Sequence, residues 1–141
     1  QSQIEILEDE LQALDDAGSL FVAGGDFNSL PAGSEMLSEF PDECDGRFKG
    51  DSYEGEETWL DGLFGNFDSA MPLDGYAEDN ASWFTFSGDG VEWTRTLDYL
   101  FTNGQWVAGS GLALQSAELG GLETIGLSDH APLAASLEVT Q

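Results

Sequence analysis

A layered α/β (α+β) domain is the fold class this sequence predicts, on three observations. Ile4, Leu7, Leu11 and Leu14 recur at helical spacing. Gly18 stands where a helix of that length would stop. Directly after it, Leu20-Phe21-Val22-Ala23 is an apolar run too short for a helix and bounded by Gly18 and Gly24-Gly25, so it is expected to be a strand buried on both faces. Helix, tight turn and buried strand in succession are the parts of a layered domain. The material for a core is present, since 40% of the 141 residues are hydrophobic and 11% aromatic.

The remaining elements follow in order. Glu8, Asp9 and Glu10 are expected on the solvent side of the first helix. Ser34 is placed to cap a short helix running to Phe40, and Pro41 to Glu57, acidic and punctuated by Gly46, Gly50 and Gly55, is expected to be a surface loop. Trp59 to Phe67 returns to apolar residues around Asp61 without a decisive period. Trp83-Phe84-Thr85-Phe86 predicts a strand with Ser87-Gly88-Asp89-Gly90 as its turn. Leu97, Tyr99 and Phe101 alternate with Asp98 and Leu100, a strand whose second face carries one carboxylate. After Trp106-Val107 a Gly-rich stretch extends to Gly126, and Leu133, Ala135, Leu137 and Val139 are expected on one face of a last strand. No repeat or linker divides the chain, so residues 1–141 are expected to form one structural unit.

Charge narrows the function classes. Twenty-eight acidic residues stand against Arg47, Lys49 and Arg95, a formal net charge of −25. Such a surface repels phosphate backbones, which disfavours electrostatic binding of nucleic acid at low salt. Either the substrate is not a long polyanion or the protein works in high salt, where a Debye length of ~3 Å at 1 M screens the repulsion. Scarce lysine beside abundant Asp, Glu, Gly and Ala suits halophilic adaptation. Cys44 is the only cysteine, which excludes an intrachain disulfide and a cysteine-based zinc cluster. No apolar run approaches the ~18 residues of a membrane span. The chain opens on Gln1 with no basic-then-apolar leader, as after removal of a signal peptide or in a fragment. Localisation stays open, secretion included.

Three segments carry chemistry. Gly24-Gly25-Asp26-Phe27-Asn28 ends the first strand. In extended backbone Asp26 and Asn28 point the same way, a proton-accepting carboxylate beside an amide that can donate to an oxyanion. Such residues after glycine are also ordinary turn and cap residues. Asp98 is the only charge within its strand and needs a partner, because an unpaired buried charge is costly. That partner could be loop amides, Arg95, or a histidine that it orients as the acid of a serine-protease triad does. Ser128-Asp129-His130-Ala131-Pro132 precedes the last strand and holds the only histidine. Asp129 and His130, being adjacent, point apart in extended backbone and can serve separate partners such as a metal and a phosphate.

Gly25-Asp26-Phe27-Asn28, Leu97-Asp98-Tyr99-Leu100-Phe101 and Ser128-Asp129-His130-Ala131-Pro132, in this order and spacing, resemble the C-terminal half of the endonuclease/exonuclease/phosphatase superfamily. Gln3, Leu60-Asp61 and Phe84-Thr85-Phe86 support the resemblance, which spans nearly the whole chain. It implies a DNase I-like layered β-sandwich flanked by helices, with only the C-terminal half of the domain present. It implies a metal-dependent phosphoric ester hydrolase acting by in-line attack of water on a phosphodiester or phosphomonoester, a nuclease among the options. Asp26 would orient and deprotonate the water, Asn28 would bind the phosphate, and His130, held by Asp98, would donate to a phosphoryl oxygen. Asp129 would join Asp26 in the metal and water network around Mg²⁺, or Mn²⁺ or Ca²⁺. Two features depart from the family. Thr96 stands where many members have Arg, with Arg95 displaced by one, and the Asn, metal-binding Glu and second His of the N-terminal half have no counterpart here.

Other classes fit less well. An acidic binding module, or a degenerate phosphoesterase-like one, is the non-catalytic alternative suggested by Asp42 to Glu57, yet no EF-hand spacing occurs. No Gly-x-Ser-x-Gly elbow marks a serine hydrolase, and Gly109-Ser110-Gly111 lacks the Lys of a phosphate loop.

Overall fold

The computed structural model describes residues 3–32, 34, 58–88, 90–119 and 125–139. These form a mixed α/β chain with small antiparallel sheets: α1 (Gln3–Asp16), β1 (Val22–Asp26), α2 (Asp61–Asn66), β2 (Asp68–Ser69), α3 (Leu73–Glu78), β3 (Asp98–Thr102), β4 (Gln105–Trp106), β5 (Leu112–Ala113), β6 (Leu133–Ala134) and β7 (Leu137–Glu138). Short 3-10 turns lie at Asn80–Trp83 and Ala117–Leu119. Beyond Ser34, the expected helix to Phe40 and the loop Pro41–Glu57, with Cys44, fall outside the described residues.

The first helix forms where its period predicts. Leu11 is buried and Ile4 and Leu7 pack against the core cluster. It stops at Gly18, whose φ of 71° few residues but glycine adopt. There Ser19 N–H reaches back to Leu14 O (3.0 Å) and Gly18 N–H to Asp15 O (2.8 Å), the double bond that closes a helix C-terminus. Two side chains depart from expectation. The core reaches along α1 only as far as Leu11, so Leu14, one turn on, is exposed. Glu8 is half-buried against α2, where it accepts a hydrogen bond from Asn66 Nδ2 (2.8 Å).

The main sheet has the order β1-β3-β2, all antiparallel. On its core face Tyr99 and Phe101 of β3 are fully buried. Phe27 and Phe64 meet Tyr99 edge-on at 5.5 and 5.8 Å between ring centroids, and Phe64 meets Phe101 at 5.1 Å. Asp98 and Leu100 take the opposite face, as the alternation in sequence predicts.

The strand β1 departs from the expected strand buried on both faces. It runs Val22–Asp26 and pairs, among the described residues, with β3 alone. Phe21 and Ala23 pack on the core while Leu20 and Val22 are 56% and 53% exposed. It begins later than the apolar run because the Phe21 amide donates to Asn103 Oδ1 (3.0 Å), a side chain rather than a ladder carbonyl. Gly24 lets β1 approach β3 closely. A Cβ there would fall onto the Leu100 side chain and within 2.9 Å of Tyr99 O.

Downstream, the ambiguous Trp59–Phe67 segment contains α2. The strand expected at Trp83–Phe86 is not regular. Trp83 closes a 3-10 turn, and Phe86 makes isolated bridges to Arg95 and His130. Thr85 and Phe86 both send their N–H to the single Arg95 carbonyl (2.7 and 2.8 Å), which a regular ladder does not allow. The last strand divides in two. Leu133–Ala134 pairs with β5 and Leu137–Glu138 with β4, because the two partners lie in separate sheets. Leu133, Ala135 and Leu137 are half-buried, whereas Val139, expected on the same face, is exposed. The β4 strand docks on β2 through Trp106, whose amide and indole N–H donate to Asp68 Oδ2 (2.9 Å) and Asp68 O (3.1 Å).

Candidate active site

The register of the main sheet brings the first two segments together. Asp26 lies directly opposite Asp98. The Phe27 N–H donates to Leu97 O (2.8 Å), so the neighbouring acid pair occupies a non-hydrogen-bonded position, where facing side chains approach most closely. Two carboxylates there repel each other unless a cation sits between them.

His130 lies against both carboxylates. Its Nδ1 lies 2.8 Å from Asp98 Oδ2, and its Nε2 lies 3.9 Å from Asp26 Oδ2. Asp98, accepting at Nδ1, fixes the tautomer that keeps its proton there and turns Nε2 outward. Of the partners the sequence leaves open for Asp98, the structure supplies the histidine, while Arg95 contributes its backbone to Thr85 and Phe86. Burial lowers the His130 pKa, but the Asp98 hydrogen bond, followed by the charges of Asp98, Asp26 and Asp129, outweighs it and raises the value above 6.5. The Phe86 ring tilts against the imidazole at 5.2 Å between centroids.

Exposure grades across the cluster, with side-chain values of 36% for Asp26, 29% for His130 and 18% for Asp98. The dyad is thus set back and Asp26 stands forward. Asp26 Oδ1 accepts the Asn28 N–H (2.8 Å) and Oδ2 accepts the Asn28 side-chain amide (3.2 Å). This is an Asx-type turn, and it puts Asn28 at φ 49°, a left-handed conformation that asparagine tolerates. Asp26 and Asn28 therefore meet, but through the turn rather than through the alternation of extended backbone. Beneath them the buried Tyr99 hydroxyl lies 2.7 Å from Ser29 O and 3.0 Å from Thr96 O, which anchors the turn to the core.

The third segment is held by backbone. Ser87 N–H donates to Asp129 O (2.9 Å), Ala131 N–H to Thr85 O (2.7 Å), and His130 N–H to Ser128 Oγ (3.0 Å). The Asp129 side chain is exposed. Among the described residues one group of three has metal-ligand types close together, Asp26, Asp98 and His130, with one ligand atom from each within 4.8 Å of the others. Asp129, expected as a ligand with Asp26, stands outside that group and acts on it through its charge. An open cleft of about 370 Å³ runs from the dyad along Leu100, Pro132 and Leu133.

The sequence predicts a strand at Trp83-Phe84-Thr85-Phe86 and gives Thr85 no role in the site. The buried Thr85 hydroxyl accepts the N–H of both Leu97 and Asp98 (3.1 Å each). A threonine in a candidate strand is too common for its composition to signal that contact. No helix among the described residues is long and apolar enough to cross a membrane. No protein-family model matches the chain, and no curated protein or solved structure matches it.

Proposed function

We propose that the chain carries the base-and-histidine side of a metal-dependent phosphoesterase site in a DNase I-like β-sandwich. The observation that carries this reading is the Asp98–His130–Asp26 line, in which a buried-side carboxylate orients an imidazole whose free Nε2 faces a forward carboxylate. Asn28 stands beside that carboxylate with an amide that can turn to an incoming oxyanion.

In this reading a phosphate ester lies over Asp26, Asn28 and His130. Asp26 accepts the proton of the attacking water, a task for a solvent-reaching carboxylate, as the bond from phosphorus to the ester oxygen breaks and the departing alkoxide takes a proton from solvent. His130, when protonated, donates its Nε2–H to a phosphoryl oxygen as the charge there grows, while Asp98 holds the ring in place. Hard oxygen donors around an open position suit a hydrated divalent cation held by Asp26, with the charge of Asp129 nearby; Mg²⁺ is the first choice and Mn²⁺ or Ca²⁺ share the chemistry. When bound, such a cation neutralises charge on the phosphate. Asp98 is committed to His130 and contributes orientation. The resemblance places the principal metal carboxylate on a complementary half, so turnover is expected where both halves are assembled. The substrate is a phosphate ester, and nucleic acid is disfavoured at low salt by the net charge of −25.

The test is hydrolysis of an activated phosphodiester by the assembled protein in Mg²⁺. Asp26→Asn and His130→Ala should each lower kcat by about 10²–10⁴-fold with the fold retained. Wild-type rates in either variant would assign the chemistry elsewhere.

A further inference from the structure

We propose that Thr85 is a positioning residue that sets the Asp98–His130 hydrogen bond from behind, through its hydroxyl to one partner and its carbonyl to the other. The inference deepens the phosphoesterase reading and rests on it for its functional meaning, but its geometry is independent of substrate.

Thr85 is fully buried. Its Oγ1 accepts two consecutive amides, Leu97 N–H and Asp98 N–H, each at 3.1 Å. Successive N–H groups of a regular strand point to opposite sides. Two that converge on one oxygen therefore mark an irregular entry into β3, and the oxygen fixes the backbone of Asp98 where its side chain departs. A threonine hydroxyl has two lone pairs, so both bonds are within its capacity. The same residue's carbonyl accepts Ala131 N–H at 2.7 Å, directly after His130, and the next residue, Phe86, bridges His130 and lays its ring against the imidazole. Segments more than thirty residues apart are thus referred to one buried point, and the 2.8 Å Nδ1–Oδ2 contact is the distance that results.

Since the chain has one histidine, imidazole labelling reports on this contact without ambiguity. The experiment is ¹⁵N-histidine NMR of the 141-residue chain. A downfield, slowly exchanging Nδ1–H is expected in wild type, absent in Asp98→Asn and retained in Thr85→Ser, which keeps the oxygen. Thr85→Val, which keeps the shape and removes the oxygen, should exchange that proton at least about tenfold faster. Thr102→Val is the comparator. That threonine is equally buried and bonds Phe21 O (2.6 Å) at the far end of β3, so its loss should leave the signal in place.

A wild-type signal in Thr85→Val, or equal loss in Thr102→Val, would overturn the proposal. Should Thr85→Val fail to fold, amide exchange in wild type decides: Leu97 and Asp98 must both be protected, and rapid exchange at either refutes the role. Hydrolysis is scored separately. An active enzyme with no dependence of the imidazole signal on Thr85 removes this inference alone, and the reverse pattern removes the phosphoesterase reading alone.

Discussion

The two sides of the candidate site are built differently. Asp98 and His130 are set into the protein, tied by a 2.8 Å bond and backed by the buried Thr85 and the Phe86 ring. Asp26 and Asn28 sit forward at the end of β1 and in the turn that follows it, bonded to each other. The first side suits fixed orientation of one imidazole. The second leaves polar groups that must remain reachable, while the Phe27 ring and the Tyr99 hydroxyl beneath tie the turn to the core. Orientation and access are thus allotted to neighbouring strands, which meet at the site in the cross-strand pair Asp26–Asp98.

The largest expected effect lies in the chemistry, where both sides should matter alike. The losses of about 10²–10⁴-fold expected for Asp26→Asn and His130→Ala come from opposite sides of the site. A deep loss from one side with little from the other would reduce the site to that side.

Stability should separate them instead. Asp98→Asn removes a charge-assisted bond from a half-buried place and should destabilise the fold by about 1.5–3 kcal/mol. Asp26→Asn relieves repulsion across the strand pair and can keep the turn bond, so it should stay within about 0.5 kcal/mol of wild type. Urea denaturation of both variants makes the comparison, and equal losses would break the distinction.

The pH dependence sharpens it further. The folded-state pKa of His130 is raised above its ordinary value, so the stability it contributes is fully present below about pH 6.5 and is lost as pH rises through the folded value. In metal-free protein, wild type minus His130→Gln should fall across that window and level off above it. The difference should shrink in Asp98→Asn, because the Asp98 bond is the chief raising influence. A difference that grows with pH would reverse the assignment.

The smallest effect concerns the turn. Asn28 at φ 49° favours residues that tolerate left-handed backbone, so Asn28→Ala should lose about 1–2 kcal/mol while Asn28→Gly stays close to wild type in thermal melts. Equal melts for the two would mean that the turn relaxes away from that conformation.

How much of this was legible in the residues depends on the range of the forces involved. The alternation Leu97–Phe101 predicts which side of β3 carries Asp98, because burial acts on every second residue. The helical spacing and Gly18 predict α1 and its end for equally local reasons. Partner choice is not local. That β1 pairs, among the described residues, with β3 alone, and that the last strand divides between β5 and β4, follow from how distant segments pair. The three polar segments could be recognised as a set, and the Asp98–His130 contact expected from them is present at 2.8 Å. The bonds through Thr85 could not be anticipated, since they depend on where two irregular segments stop being regular.

The most direct measurement is metal-dependent hydrolysis of an activated phosphodiester by the purified 141-residue chain, alone and mixed with a polypeptide bearing the Asn- and Glu-containing half of the resembled family. Asp26→Asn controls for contamination. The expected result is no turnover by the chain alone in Mg²⁺, because Asp26, with Asp129 adding only its charge, would hold a hydrated cation loosely. Turnover should appear on mixing and vanish with Asp26→Asn. Robust hydrolysis by the chain alone that disappears in Asp26→Asn would contradict the division of the site, and no hydrolysis after mixing would contradict the phosphoesterase itself.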